Sequence, residues 1–115
     1  MSAAPIVVEI APGELIDKIT ILEIKSVRIT DASKLANVRH ELKTLVHSRD
    51  AHVAASAELD QLTGQLREVN EILWQVEDDI RDCERQQDFG AKFIELARSV
   101  YHTNYRRAAI KRQIT

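Results

Sequence analysis

From Leu59 onward, Leu59, Leu62, Leu66, Val69, Leu73, Val76, Ile80 and Cys83 alternate steps of three and four without a miss. Apolar residues at this spacing stay on one side of an α-helix. They predict a helix over 57–86, capped by Ser56, about 45 Å long at a rise of ~1.5 Å per residue. Gly64 falls off the stripe, where a glycine costs ~1 kcal/mol without stopping the helix.

Upstream, Leu15, Ile19, Leu22 and Ile29 form another helical stripe, widened by Ile16, Ile21, Ile24 and Val27. So wide an apolar surface predicts a helix over 12–29 that is covered on more than one side. Pro12 suits a first helical turn, and Glu14 suits its positive end. Leu35, Val38, Leu42 and Leu45 predict a helix over 32–50, with Thr30, Asp31 or Ser33 as cap. The pattern then fades through "HSRDAHVAAS".

After "QQDFG", Phe93, Leu96, Val100, Ile110 and Ile114 predict a last helix over 89–113, capped by Asp88. Thr103 and Arg107 occupy two steps of that apolar line. At the other end, "PIVVEI" is short and β-branched, which predicts an extended arm or an edge strand within residues 1–11. The chain offers no second strand to pair with it.

Four helices with short connections predict one all-α domain over 1–115, an antiparallel helical bundle with an N-terminal arm. Only three Gly and two Pro among 115 residues agree with long helices. The 44% apolar and 30% charged content is that of a folded globular domain. No run approaches the ~20 apolar residues of a membrane span. "MSAAPIVVEIAPGE" lacks the basic n-region of a secretory signal, so a cytoplasmic location is expected. The single cysteine, Cys83, sits on the seam and is expected as a buried, reduced thiol.

Charge is uneven along the chain. Residues 57–95 carry eleven acidic and four basic side chains, whereas 96–115 carry five basic and no acidic ones. A reversal at 88–90 would bring Glu71 toward Arg107, Glu77 or Asp78 toward Arg98, and Arg81 toward Glu95. Asn70, Trp74, Glu77, Arg81 and Glu84 make a polar ridge one position beside the seam, where charges usually set interhelical register. The competing reading makes that ridge the wall of a cleft. Trp74 and Tyr101 would supply its flat apolar side, and Arg98 or Arg107 an anion contact.

Other signals carry little chemistry. "DFG" at 88–90 spells the kinase metal motif without its glycine-rich loop, lysine or HRD segment. His40, His47, His52 and His102 show no helical metal-ligand pairing. Glu14 with Asp17, and Glu68 with Glu71, set carboxylates one turn apart, as magnesium-dependent helical pyrophosphatases do, but the partner motifs differ. No serine or cysteine stands beside a base, so no catalytic residue is assigned. A cofactor-free mutase of the chorismate type needs only arginines in a dry pocket; Arg28, Arg39, Arg81 and Arg98 are the candidates. The basic segment "NYRRAAIKR" could meet phosphates, but the acidic third helix beside it can neutralise it internally, which argues against nucleic acid.

The blocks "PGELIDKITILEIK", "VNEILWQVEDDIR" and "DFGAKFIELARSVYHTNYRRAAIK" resemble the signature blocks of a bacterial family classed as a domain of unknown function. That resemblance implies a small helical protein, with some relatives associated with glycosyl transfer and surface polysaccharides. The polar signature positions it carries over are Glu14, Asp17, Lys18, Glu23 and Lys25 in the first block, then Asn70, Glu71, Trp74, Glu77, Asp78 and Arg81. In the last block they are Asp88, Glu95, Arg98, Tyr101, Asn104 and Arg107. Tyr105 stands where the family pattern has an acidic residue. Lys18 and Lys25, seven apart, are expected on a face that meets Glu77 or Glu84.

The leading expectation is therefore a non-catalytic interaction or oligomerisation module, accessory to surface-polysaccharide or glycosyl-transfer systems. Its partner would be another protein or a second copy joined through the seam. The alternative is a site for a small anionic metabolite or nucleotide sugar, with Asn70, Trp74, Glu77, Arg81, Glu95, Arg98, Tyr101 and Arg107 as its candidates. Neither expectation requires a cofactor or a metal.

Overall fold

The computed structural model describes residues 4–115. It is an all-α bundle of four helices: α1 (Pro12–Arg28), α2 (Ala32–His52), α3 (Ala57–Arg85) and α4 (Ala91–Ile114). The starts of α1, α2 and α3 coincide with those read in the sequence, and the other bounds differ by one or two residues. No strand occurs among the described residues. Residues 4–11 form neither helix nor strand and are exposed, and the first three residues of the expected arm lie outside the described ones.

The connections follow local chemistry. Asp31 accepts a hydrogen bond from the Lys34 amide at 2.9 Å, and Ser56 one from the Leu59 amide at 3.0 Å. Each satisfies an amide that the first helical turn leaves without a partner. Asp88 does not cap α4. Gly90 holds the cap position, and the Asp88 side chain accepts instead from the Gly90 amide, two residues on, at 3.2 Å. Gln87 turns the chain between α3 and α4 at φ 54°.

α1 is the central element. It packs against each of the other three helices, α3 and α4 pair along their length, and α2 packs on α1 alone. The width of the α1 stripe has this cause: Leu15, Ile16, Ile19, Leu22 and Ile24 are all buried. Val27 departs from the expectation and is 84% exposed. The core gathers Leu15, Ile16 and Ile19 of α1, Leu62, Leu66, Val69 and Leu73 of α3, and Ile110 of α4. Leu42, Leu45 and Val46 of α2 pack against it from the side.

Much of the long seam of α3 therefore faces the other helices of the same chain. Leu62, Leu66, Val69, Leu73 and Cys83 are buried, with Cys83 a free thiol. At the other end of α1 the backbones come unusually close. A Cβ on Gly13 would stand 2.2 Å from the Lys111 carbonyl oxygen, so only glycine fits between α1 and the last turn of α4. The Gly13 amide donates to Thr115 Oγ1 at 3.0 Å across this contact.

Candidate functional site

The core holds a polar centre. Asp17, Thr20, Asn70 and Thr103 are buried among the aliphatic side chains of α1, α3 and α4. Asn70 Nδ2 donates to Asp17 Oδ1 and to Thr20 Oγ1, both at 2.9 Å. Thr20 Oγ1 donates to the Asp17 backbone carbonyl at 2.8 Å. From α4, Arg107 grips the Asp17 carboxylate with Nε at 2.9 Å to Oδ1 and with Nη2 to Oδ2. Lys111 stands one turn further on, 2.7 Å from Glu14 Oε2 and 3.6 Å from Asp17 Oδ2.

An ionised carboxylate withdrawn from water is costly unless its oxygens are bonded and its charge is matched. Both conditions hold at Asp17. Burial works to raise its pKa, but the hydrogen bonds from Arg107 and Asn70, with the charges of Arg107 and Lys111, outweigh it and hold the pKa below its ordinary value. The Asp17 hydrogen bond raises the Arg107 pKa in return, against the opposing effect of burial. No buried side-chain polar atom among the described residues lacks a partner.

Beside this centre, between α1, α3 and α4, lies a cleft of about 180 Å³. Asn70, Trp74 and Glu77 of α3 form one wall, Lys25 of α1 another, and Arg107 closes the floor. Arg28 stands 5.9 Å from the centre of the Trp74 ring and pairs with Glu71, while Arg67 pairs with Glu23 at 3.0 Å. The basic side chains between α1 and its neighbours are thus largely neutralised by carboxylates of the same chain.

No family model matches the chain, and no curated protein or solved structure matches it.

Of the eight residues singled out as ligand candidates, Asn70, Trp74, Glu77 and Arg107 meet in this cleft. The other four do not join them. Arg81 is exposed and bonds Asp78 one turn back on its own helix. Glu95, Arg98 and Tyr101 lie on the outward side of α4, so Tyr101 cannot face Trp74. The interhelical pairings drawn from a simple α3–α4 register are likewise replaced. Glu71 meets Arg28 rather than Arg107, Arg107 meets Asp17, and neither Arg98 nor Glu95 forms an ion pair among the described residues. The reason is α1, which lies between the polar edges of α3 and α4 and supplies the countercharges. Lys25 does reach the cleft that Glu77 lines, whereas Lys18 is exposed.

Asp17 is among the positions carried over by resemblance, but of the eight ligand candidates only Asn70 and Arg107 belong to this centre. One signal marked it: Thr103 and Arg107 interrupt the apolar line of α4, and Asp17 sits within the aliphatic run of α1. Polar residues on a core-facing stripe must find one another.

The outward side of α4 is of another character. Ile94 is 56%, Tyr101 70% and Tyr105 71% exposed, and a shallow open groove runs past Ile94, Ala97, Arg98 and Tyr101. Arg98, Arg106 and Arg112 are exposed on the same helix with no ion pair among the described residues. No group of three or more His, Cys, Asp or Glu side chains that could hold a metal occurs among the described residues. No described helix is long and apolar enough to cross a membrane.

Proposed function

We propose that this chain is a non-catalytic interaction module whose contact surface is the outward face of α4. One observation carries the reading. The arginine that faces inward, Arg107, is bound at two points by Asp17 and has no free fork for a ligand anion. An anion site needs an unpaired cation in a dry pocket, and the cleft of about 180 Å³ also falls short of the ~300 Å³ at which small-molecule sites begin. The outward face of α4 instead combines exposed tyrosines, an isoleucine and unpaired arginines. Tyr and Arg are the residue types that concentrate binding energy at protein interfaces.

The resemblance of the three sequence blocks gives the module its setting: a bacterial, cytoplasmic accessory to surface-polysaccharide or glycosyl-transfer systems. A thermal-shift screen against nucleotide sugars and anionic metabolites tests the reading. The module is expected to give no shift with any of them. A saturable shift of several degrees, lost in Lys25→Ala or Trp74→Ala, would overturn it in favour of a ligand cleft.

A further inference from the structure

Two apolar features of this chain are left largely uncovered by the described residues. One is the stripe along α4 formed by Ile94, Tyr101 and Tyr105, continued by Ala108. The other is the arm, where Ile6, Val7 and Val8 are 89%, 92% and 74% exposed. The whole chain exposes 8342 Å², against about 6,400 Å² for a compact monomer of its mass. Its radius of gyration is 16.4 Å, against about 13 Å for a compact domain of this length. The exposed arm and the outward side of α4 both contribute to that excess.

Charge and shape on α4 say what covers that side. Glu95 and Arg106 are eleven positions apart, about three helical turns, and so lie on the same flank of the stripe. Two copies of α4 laid antiparallel about a two-fold axis at Tyr101 bring like flanks together. Glu95 then stands opposite the partner's Arg106, and Arg106 opposite the partner's Glu95. In the same register Ile94 faces the partner's Ala108, a large residue against a small one. Arg98 comes over the partner's Tyr105, a cation against an aromatic face. A parallel arrangement would set the Glu95–Arg106 flank of each copy against the partner's opposite flank and lose these pairings.

The arm falls into place by the same symmetry. The Gly13–Thr115 hydrogen bond fixes the start of α1 at the end of α4, so residues 4–11 leave the protomer there. In the antiparallel pair that end lies beside the start of the partner's α4, where Phe89 is 51% exposed. Eight residues reach about 26 Å when extended, enough to lie across the partner's Phe89 and Ile94. The stripe alone covers a footprint of roughly 200 Å² per chain, from about 22 Å of helix with a diameter of ~10 Å. A stable interface buries ~800 Å² per partner, and the exchanged arms add the missing apolar area.

Resting on the reading of the α4 face as a contact surface, we infer that its partner is a second copy of this chain. The two pair antiparallel through α4, with Glu95 against the partner's Arg106 and each arm laid over the other's Phe89–Ile94 end.

Sedimentation equilibrium of the full chain over about a hundredfold range of concentration tests this. The wild type is expected to show a concentration-dependent dimer. Glu95→Arg and Arg106→Glu should each weaken it about tenfold, because each sets like charges opposite one another at both symmetry-related contacts. The double variant Glu95→Arg with Arg106→Glu should restore it, which no effect on folding would do. Val7→Glu in the exposed arm should weaken the dimer with no change in melting temperature measured at monomeric concentration. A monomer throughout the range, or a dimer in which the double variant is no better than the single ones, overturns the inference. Failure of the interaction reading is seen separately, as a metabolite-induced thermal shift, whatever the sedimentation shows.

Discussion

Arg107 and Asp17 stand 90 positions apart in the sequence and join face to face, the guanidinium fork of α4 on the buried carboxylate of α1. The pair ties the first helix to the last, and Asn70 of α3 bonds the same carboxylate, so three helices share one polar node. Each member is satisfied only when all three helices are docked. A helix shifted by one turn along its neighbour would leave a buried charge without its partner. Register is thus set by electrostatics inside a core that is otherwise aliphatic.

Arg107→Ala should cost about 3 kcal/mol, the lower end for a broken buried pair, since Lys111 remains 3.6 Å from Asp17. Replacing both members, as Asp17→Leu with Arg107→Met, should be less destabilising than Arg107→Ala alone. Urea denaturation of the three proteins measures it. A double variant less stable than Arg107→Ala would show that the node stabilises the fold by more than its pairing.

The pH dependence follows from the direction of the Asp17 shift. Its folded pKa lies below the ordinary 3.8, so the carboxylate binds its proton less readily in the folded state. The resulting stability is present above about pH 4 and is lost as pH falls through the lower folded value. Arg107, shifted upward, stays charged across this range. In Asp17→Asn that part of the acid loss should disappear, and the gap between wild type and variant should narrow from pH 7 toward pH 3. A gap that stays constant with pH would contradict the assignment.

The two helical glycines should respond in opposite senses. Gly64→Ala meets no atom within 4 Å and should stabilise by ~1 kcal/mol through helix propensity. Gly13→Ala would drive a Cβ into the backbone of Lys111, and should destabilise by about 1–3 kcal/mol despite the same propensity gain. Melting temperatures of the two variants, compared with wild type, settle the contrast.

Position on the α3 seam or beside it should decide what a truncation costs. Leu66, fully buried, should cost about 2–5 kcal/mol on substitution by alanine. Arg81→Ala should stay within about 0.5 kcal/mol, because its one ion pair is exposed and lies within its own helix. Chemical denaturation distinguishes the two without ambiguity.

The helices were legible because their evidence is local. A heptad seam from Leu59 to Cys83, a widened stripe from Leu15 to Ile24 and caps at Asp31 and Ser56 each speak within a few turns. Asn70, Trp74, Glu77 and Arg107 were legible as a candidate group for a weaker reason. The first three share a ridge, and Arg107 breaks an apolar line. Glu95, Arg98 and Tyr101 carried the same kind of signal and ended on the opposite side of α4. Residue type and spacing say that polar groups share a face, but not which helix covers it.

By itself, then, the sequence determined that this chain forms four helices, that the third carries an unbroken apolar seam, and that the first is covered on several sides. Those properties follow from side-chain periodicity against a fixed helical pitch. Only the tertiary structure decided that α1, not α2, is the hub between α3 and α4. Only there does Asp17 become the buried carboxylate that claims Arg107, Asn70 and Lys111, leaving Arg98 and the tyrosines outside. Such choices depend on which surfaces meet across 50 to 90 residues of chain, where pairing of buried charge, rather than local pattern, selects the arrangement.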